Sequence, residues 1–500
     1  MTTVQAPEGA ATEEKIHDVV VIGAGPGGVC AAILLERRGI RDVVVLERSA
    51  GIGGTWFNNR YPGLACDVPS NLYSYSFFQD YDWTRTFARR DEMCAYVEEA
   101  ARRFGVAERI VVNAGVESAR WDDGAAHWVL TTAAGTFRGR TVIGAVGMFT
   151  EPTRPDIPGL DTFAGPLLHT AEWPEDAATS FLAGRSVGVI GAAASAIQLV
   201  PAIAPVVGEL TVFHRTPQWV FPKDDQVFDE GERASRRADP SIVAALRRES
   251  IDFVDRLGDF NNVELMADLR ARGLENLEAL DDPALREVMR PVLPIGAQRT
   301  LLSSEYYPTF NHSHVHLVTD PVAEIRPDAV VTKTGGVHRL DVLLLATGYA
   351  AHRFLSVVDV VGRDGTSLTE VWRDGAYGYK GMTLDRFPNL FMLYGPNTNG
   401  GSIIDKLEVQ SRYVVDKIAH LLDNGLASLE VRGAAVETYN KQLSIDLERI
   451  EAWRVEGSRY FRAPSGRIVT QCPYSPAEYD LLTRVDDLAD YVETPGGATV

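Results

Sequence analysis

The stretch HDVVVIGAGPGGVCAAILLERRGIRDVVVLE, residues 17–47, decides the fold of this chain. It begins with an apolar run, passes through a glycine-rich turn, continues with apolar residues at helical spacing and ends in a second apolar run. This order predicts a strand, a helix and a second strand, which together form the β-α-β unit of a parallel sheet. We therefore expect an α/β fold.

The glycine turn matches the pattern GxGxxG, with Gly23, Gly25 and Gly28 at its key positions. The first glycine allows a tight turn, the second lets a pyrophosphate approach the backbone, and the third lets the helix pack against the strand. The N-terminus of the helix then faces the phosphates. Glu47 ends the second strand, where an acid accepts hydrogen bonds from a ribose diol and repels a 2′-phosphate. The loop therefore predicts a site for FAD or NAD.

The same order of elements returns in GRSVGVIGAAASAIQLVPAIAPVVGELTVFHR, residues 184–215. Gly191 keeps the tight turn, and Arg215 stands at the spacing that the acid has in the first copy. A guanidinium at this position pairs with a 2′-phosphate, so the second unit predicts NADPH. Ala193 replaces the second glycine, and its methyl group crowds the pyrophosphate. The alternative interpretation is a vestigial unit with a surface arginine.

Two such units predict two Rossmann-type dinucleotide-binding domains, for FAD and NADP. Dense charge with apolar residues at helical intervals predicts a helical insertion, in which Asp282 and Pro283 are typical of a helix start. A long helix is expected at about 405–422. The expected order is a disordered tail (1–15), a first segment of the FAD-binding domain (16–152), a first segment of the NADP-binding domain (153–223), the helical insertion (224–295), a second segment of the NADP-binding domain (296–380) and a second segment of the FAD-binding domain (381–500).

Composition narrows the classes of partner. The net charge of -19 disfavours nucleic acid and anionic membranes. The N-terminus has no signal-peptide pattern, and the apolar run around Pro26 has too many glycines for a membrane span. The four cysteines include no CxxC pair, which disfavours a zinc site, a disulfide framework and the chemistry of a disulfide reductase. We expect a cytoplasmic protein without a bound metal, and the sequence leaves its oligomeric state open.

Three further segments connect the chain to a known family. They are GGTWFNNRYPGLACDVPSNLYSYSF from Gly53, FAGPLLHTAEWP from Phe163 and QRTLLSSEYYPTF from Gln298. Together with the glycine loops they make nearly the whole chain resemble the class B flavin monooxygenases, and specifically the Baeyer-Villiger monooxygenases. The second segment fits that group's FxGxxxHxxxW fingerprint, through Phe163, Gly165, His169 and Trp173.

The resemblance implies a reaction. NADPH reduces FAD, the reduced flavin and O2 form a 4a-peroxyflavin, and this anion attacks the carbonyl of a small-molecule ketone to give an ester or lactone. Arg299 aligns with the family's active-site arginine, and negative species of this kind need a fixed cation. Asp67 aligns with the carboxylate that holds that arginine. His169 and Trp173 are implied to belong to a hinge between the two domains.

The remaining expected contacts are with the cofactors. Gln198 and Thr216 are expected to border the nicotinamide dinucleotide. The full set of expected cofactor-binding residues outside the glycine positions is Glu47, Thr55, Trp56, Asp67, Ser195, Gln198, Arg215, Thr216 and Asn397, together with Gly54 beside the first loop.

The chain departs from the family pattern in places. Gln298 replaces the lysine that usually precedes the active-site arginine and contributes to 2′-phosphate binding, so NADH is a possible electron donor. Near the C-terminus, Tyr460 and Phe461 stand where a Trp-Tyr pair is frequent, and Gly457 stands where a cysteine is common. That region tends to line the substrate pocket, which predicts an unusual pocket.

Other functions fit parts of the sequence. N- or S-oxygenating flavin monooxygenases share every cofactor motif, but they usually carry Tyr or Phe plus Lys where this chain has Trp173 and Pro174. Arg299 also argues against them. A flavoprotein scaffold that NAD(P)H cannot reduce is kept open by Ala193 and Gln298. A dehydrogenase without flavin does not explain two tandem glycine loops.

Overall fold

A computed structural model describes residues 15–175, 179–257, 260–455 and 461–496. The predicted disordered tail, apart from its last residue, lies outside the described residues. The strands are β1 (Ile16–Ile22), β2 (Val43–Leu46), β3 (Ile110–Val111), β4 (Val116–Asp122), β5 (His127–Thr132), β6 (Gly135–Gly144), β7 (Leu167–His169), β8 (Ser186–Ile190), β9 (Glu209–Phe213), β10 (Val220–Phe221), β11 (Leu301–Leu302), β12 (Val315–Val318), β13 (Val322–Arg326), β14 (Ala329–Thr332), β15 (Val337–Arg339), β16 (Val342–Leu345), β17 (Asp359–Val361), β18 (Leu390–Met392), β19 (Leu426–Val431) and β20 (Tyr491–Pro495). The helices are α1 (Pro26–Arg37), α2 (Thr55–Asn58), α3 (Arg90–Arg103), α4 (Ala194–Ile203), α5 (Glu230–Ala238), α6 (Pro240–Leu257), α7 (Val263–Leu277), α8 (Pro283–Met289), α9 (Tyr306–Thr309), α10 (Leu368–Val371), α11 (Ile403–Asp423), α12 (Gly433–Glu448), α13 (Glu451–Arg454) and α14 (Pro476–Arg484).

The first glycine loop belongs to an eight-stranded sheet with the order β17-β4-β5-β6-β1-β2-β3, in which β18 also pairs with β6. Strand β1 lies parallel to both β2 and β6. Its last four residues are buried, as expected for a strand covered on both faces. Helix α1 packs closely on α11, because a Cβ on Gly27 would lie 2.9 Å from Cδ2 of Leu407. The predicted β-α-β unit is confirmed.

The second glycine loop belongs to a five-stranded sheet with the order β12-β9-β8-β16-β7. All of its pairs are parallel, and α4 connects β8 to β9. Burial of the apolar residues of β8, β9 and β16 produces a core of its own. The chain therefore has the two Rossmann-type domains that the repeated loops predict.

Two predictions of domain order can be compared with the structure: the helical insertion and the point at which the chain returns to the first domain. Strands β10 and β11 pair in parallel. Along the chain they precede and follow α5 to α8, the segment predicted as a helical insertion. Helix α8 begins as predicted, with Asp282 accepting a hydrogen bond from the backbone N of Ala284 at 2.8 Å. Strand β17, however, pairs with β4 of the first sheet, so the chain returns to the first domain before residue 359 and not at 381.

A buried arginine fixes the helical insertion to the first domain. Arg247 of α6 is only 8% exposed. One of its nitrogens, Nη1, donates hydrogen bonds to the carbonyl oxygens of Asn71, Leu72 and Ser74 at 2.9, 3.1 and 2.9 Å. Its Nη2 pairs with Asp405 of α11. Helix α6 is therefore held by contacts with two separate parts of the first domain.

A second buried charge cluster fixes the C-terminal segment. Asp487 accepts hydrogen bonds from Lys380 at 2.6 Å and from the Tyr413 hydroxyl at 2.7 Å, and it also pairs with Lys417. Burial works to raise the pKa of Asp487, but these three donors outweigh it and hold the pKa below its usual range. Helix α11, which contains Tyr413 and Lys417, is thereby tied to the residues that precede β20.

Candidate functional site

A large cavity of about 1530 Å³ lies where the two domains meet. Gly23 and Gly25 of the first loop line it, and so do Ala193, Ala194 and Ser195 of the second. The N-termini of α1 and α4 therefore open into the same space. Because a helix N-terminus favours phosphate, this arrangement suits two dinucleotides that meet in one cavity.

The first loop is shaped by close backbone contacts. Gly23 has φ +105°, and a Cβ there would lie 2.6 Å from the carbonyl oxygen of Ala145. A Cβ on Gly28 would lie 1.8 Å from the carbonyl oxygen of Gly23, so this glycine packs behind the cavity wall. Gly54 has φ +57°, and its Cβ would lie 2.7 Å from Cα of Gly25. The wall between Gly25 and Gly54 is bare backbone that a side chain would fill.

Glu47 lies at the end of β2, where the sequence places it, and lines the cavity. It is 3% exposed. Its Oε2 accepts a hydrogen bond from the backbone N of Ala24 at 2.7 Å, and its Oε1 accepts one from that of Ser49 at 2.8 Å. Each carboxylate oxygen has a further lone pair, which leaves capacity for a ribose diol.

The cavity wall contains an ion pair between Arg299 and Asp67. Nη2 of Arg299 lies 2.7 Å from Oδ2 of Asp67, and the arginine side chain is 41% exposed. Lys223 adds a second cation near this carboxylate, with Nζ donating to the carbonyl oxygen of Cys66 at 2.9 Å. Burial lowers the pKa of Lys223, and the charge of Asp67 opposes this shift. The family resemblance predicted the pairing of Arg299 with Asp67, but no motif indicated Lys223.

Gln198 joins the two domains at the cavity wall. Its Oε1 accepts a hydrogen bond from the Tyr61 hydroxyl at 3.0 Å, and its Nε2 donates to the carbonyl oxygen of Ala65 at 2.9 Å. A Cβ on Gly63 would lie 2.3 Å from the carbonyl oxygen of Gln198. The amide predicted to border the nicotinamide dinucleotide is thus engaged with the first domain.

Arg215 and Thr216 lie one and two residues beyond His214, which follows β9, and neither belongs to the cavity wall. The Arg215 side chain is exposed, and no acidic side chain pairs with it among the residues that the structure describes. The carbonyl oxygen of Thr216 lies 2.9 Å from Nε2 of His214. The contact of Arg215 with a 2′-phosphate stays a prediction.

The fingerprint histidine lies immediately behind the wall. His169 is fully buried, and its Nδ1 accepts a hydrogen bond from the backbone N of Ala171 at 3.0 Å. Burial lowers its pKa, so the ring is neutral at neutral pH. The ring stands edge-on to that of Tyr349, whose hydroxyl donates to Oδ1 of Asn59 at 2.5 Å. His169 therefore contacts the wall through Tyr349 and does not reach the cavity itself.

The other fingerprint residues are packing elements. Phe163 and Trp173 are buried, and the Trp173 ring lies 5.8 Å from that of Phe181. A Cβ on Gly165 would lie 2.2 Å from the carbonyl oxygen of Asp341. These contacts fix the segment that connects the domains. Its role as a hinge stays a prediction.

Asn397 lies outside the cavity wall, and its contact with a cofactor stays a prediction. It is 2% exposed, and its Nδ2 donates to the carbonyl oxygens of Ile468 and Gln471, both at 3.1 Å. Its backbone N donates to the carbonyl oxygen of Val469 at 2.7 Å. Both amide hydrogens hold the C-terminal segment, and it is Asn399 that lines the cavity.

The apolar side of the wall comes partly from the helical insertion, which the sequence did not connect to the site, and partly from the C-terminal segment, which it did. Helices α6 and α7 of the insertion and the C-terminal segment supply it. Its main residues are Phe253, Val254, Leu269, Trp453 and Phe461. Gly457 and Tyr460, which suggested an unusual pocket, lie outside the described residues. The amphipathic pattern of α6 and α7 indicated a buried face but not that this face borders a cavity.

Two further properties concern metals and membranes. Within the ranges that the structure describes, no group of three or more His, Cys, Asp or Glu side chains could hold a metal ion. None of the described helices has both the length and the apolar composition that crossing a bilayer requires.

Known proteins resemble this chain over almost its whole length. Residues 20–229 match the family described as pyridine nucleotide-disulphide oxidoreductase. A Baeyer-Villiger monooxygenase from Streptomyces coelicolor is 38% identical over 496 residues, which covers 96% of this chain and 94% of that protein. Another from Pseudomonas aeruginosa is 34% identical over 481 residues, covering 95% of this chain and 90% of that one.

Solved structures agree with these relatives. The oxidized steroid monooxygenase bound to NADP has a TM-score of 0.85 at 30% identity and covers 96% of this chain and 100% of its own. Cyclohexanone monooxygenase from Rhodococcus sp. Phi1 bound to NADP+ has a TM-score of 0.85 at 27% identity, with the same coverage. With the two glycine loops and the Arg299–Asp67 pair converging on one cavity, these similarities show that the chain belongs to the Baeyer-Villiger monooxygenase family.

Proposed function

We propose that the protein uses FAD, NADPH and O2 to insert one oxygen atom beside a ketone carbonyl, giving an ester or a lactone. The observation that carries the proposal is the Arg299–Asp67 ion pair in a cavity onto which both dinucleotide loops open. Arginine stays charged at every working pH. A fixed cation in a partly enclosed site stabilises developing negative charge better than mobile water does.

The residues of the first loop fit FAD. The bare backbone between Gly25 and Gly54 leaves room for a pyrophosphate, and Glu47 retains acceptor capacity toward a ribose. When bound, FAD would accept two electrons from NADPH and would then activate O2. Arg299 supplies the positive charge beside the reacting ketone, and Asp67 holds the guanidinium in place.

The residues of the second loop fit NADPH with reduced selectivity. Ala194 and Ser195 begin α4 at the cavity, and the exposed Arg215 is available to a 2′-phosphate. Gln298 lines the cavity beside the active-site arginine but brings no charge. We infer that the preference for NADPH over NADH is weak. Anaerobic mixing with each donor while following flavin bleaching tests this, and NADH reduction slower by orders of magnitude would contradict it.

The substrate is inferred to be a mainly apolar ketone, because aromatic and aliphatic side chains such as Phe253, Leu269 and Trp453 form the wall away from the glycine loops. We place the enzyme in the cytoplasm, since its four cysteines are free and buried.

Product analysis of an Arg299→Ala variant tests the function. The wild-type holoenzyme, given NADPH, O2 and a panel of cyclic ketones, is expected to form esters or lactones. The variant should retain FAD and flavin bleaching but lose roughly 10²–10³-fold in oxygenation, because one charge-stabilising donor is gone. Arg290→Ala, at an exposed arginine near the site in sequence, is the control. Unchanged ester formation by Arg299→Ala would remove this residue from the mechanism.

A further inference from the structure

The cavity wall contains a nucleophile that the proposed reaction does not use. Cys472 lines the cavity and is 7% exposed. Its backbone N donates to the carbonyl oxygen of Asn399 at 2.9 Å, which fixes the residue in the wall. A Cβ on Gly400 would lie 3.6 Å from Cβ of Cys472, so the opposing surface at this point is backbone. The thiol therefore borders the space that substrates enter.

A buried lysine is directed at this thiol. Lys406, in the first turn of α11, is 3% exposed. Its Nζ lies 4.0 Å from Sγ of Cys472 and 3.7 Å from the centre of the Tyr479 ring. Among the described residues no carboxylate forms an ion pair with this ammonium group, and the thiol is its only hydrogen-bonding partner. Burial lowers the pKa of Lys406, while Cys472 and Asp255 oppose that shift.

For each of the other three cysteines, the largest charge effect on the thiol comes from a neighbouring carboxylate. Burial, followed by the charge of Asp67, raises the pKa of Cys66 to about 12. Burial, followed by Glu98, raises the pKa of Cys94 to about 11. The pKa of Cys30 is also raised by burial. Cys66 lines the same cavity as Cys472, but the largest charge effect on its thiol comes from the Asp67 carboxylate, although Lys223 and Arg299 also lie near it.

We propose that Cys472 is an oxidation site at which hydrogen peroxide forms a sulfenic acid, with Lys406 as the activating group. The thiolate sulfur attacks one peroxide oxygen, the O–O bond breaks, and the departing hydroxide takes up the thiol proton to become water. The sulfur loses two electrons and the peroxide gains them, so one thiol and one peroxide give one sulfenic acid and one water. Lys406 stabilises the thiolate because its ammonium group donates a hydrogen bond to the sulfur.

The enzyme itself is a source of hydrogen peroxide. This source rests on the proposed function, whereas the oxidation site at Cys472 does not. When O2 is reduced by flavin without a ketone to accept an oxygen atom, hydrogen peroxide is the two-electron product. Oxidation would place a polar oxygen in the wall opposite Gly400. Turnover is therefore expected to fall on oxidation and to recover with a thiol reductant, because sulfenic acids are reversible.

The test uses the full-length, FAD-loaded wild-type protein, with added hydrogen peroxide and dimedone, and mass spectrometry of the cysteine peptides. Cys472 should acquire the dimedone label about ten times faster than Cys66 or more, because reactivity follows thiolate character and access. Equal labelling of the two cavity cysteines would overturn the proposal. This comparison needs no variant and no ketone turnover.

Two variants separate activation from location. Lys406→Met keeps a long apolar side chain but removes the charge, so labelling of Cys472 should fall about ten-fold while that of Cys66 is unchanged. Cys472→Ser should remove the portion of the peroxide inactivation that a thiol reductant reverses. Unchanged labelling in Lys406→Met would refute the role of the lysine. Selective labelling without any ester formation would instead refute the proposed function and leave the oxidation site standing.

Discussion

Substitution of Arg247, which anchors the helical insertion to the first domain, gives the most specific test of the fold. Arg247→Met keeps the volume of the side chain but removes three hydrogen bonds to backbone carbonyl oxygens and the partner of Asp405. Breaking a buried ion pair from one side costs about 3–5 kcal/mol, because the other charge stays buried. Since these contacts hold α6 on the first domain, the loss should appear as local opening of that helix.

The loss should also depend on pH. Burial raises the pKa of Asp405 from its usual 3.8 to about 6, against the opposing charge of Arg247. A carboxyl group with a raised folded-state pKa binds more protons when folded between those two values, so its contribution to stability falls as pH rises through that window. Removing Arg247 extends the window upward. The destabilisation should therefore be smaller at about pH 5, where Asp405 is neutral, than at about pH 8.

Amide hydrogen exchange of α6 measures this opening directly. A loss of about 3 kcal/mol corresponds to exchange roughly 100-fold faster, because each 1.4 kcal/mol is a factor of about ten. Arg248→Met, at the exposed neighbouring position, is the matched control and should change little. Equal exchange in the two variants would refute the anchoring role, and a loss independent of pH would refute the role assigned to Asp405.

Three further perturbations test the cofactor loops and the C-terminal cluster. Arg215→Ala should weaken NADPH binding by about 0.5–1 kcal/mol, since the side chain is exposed, and leave NADH binding unchanged, as measured by anaerobic titration against the exposed control Arg185→Ala; equal losses for both donors would contradict a 2′-phosphate contact. Gly28→Ala places a methyl carbon 1.8 Å from the carbonyl oxygen of Gly23, so the purified variant should lack FAD, and a normal flavin spectrum would show that the loop can shift. Asp487→Asn leaves two buried lysines without a carboxylate and should cost about 3–5 kcal/mol in denaturant unfolding. Because the folded-state pKa of this carboxyl is lowered, its stabilisation is present above pH 3.8 and is lost as pH falls through that lower value, so the deficit of the variant should disappear only in strong acid; a deficit already absent at neutral pH would argue against the cluster.

The features that could be predicted from the sequence are those that backbone geometry imposes locally. Gly23 and Gly28 have no room for a side chain, and this requirement is visible as a short motif. The equal spacing of Glu47 and Arg215 from their loops reflects the fixed length of a β-α-β unit, so the second domain could be inferred from the first. The pairing of Arg299 with Asp67 came only from family resemblance, because the two residues are distant in the chain.

The features that were missed depend on contacts between distant segments. Lys223 donates to the carbonyl oxygen of Cys66 because the fold brings two distant segments together. No local sequence pattern distinguishes this lysine from a surface lysine. Asn397 was predicted beside a cofactor, but its amide donates to a segment that follows much later in the chain. Strand β17 has 3 residues, so its sequence does not indicate which sheet it joins. Only its pairing with β4 assigns it to the first domain.

The interrupted first domain has a consequence for synthesis on the ribosome. The apolar face of α1 is covered by α11, and β6 receives its neighbour β18 only after the whole second domain has been made. At about 5–20 residues per second, roughly 20–70 s separate the emergence of α1 from that of α11. The second sheet can close in that interval, while the nascent first sheet keeps an uncovered apolar surface. Chaperones that hold nascent chains are therefore expected to engage the N-terminal third of this protein, and slower translation should raise its aggregation.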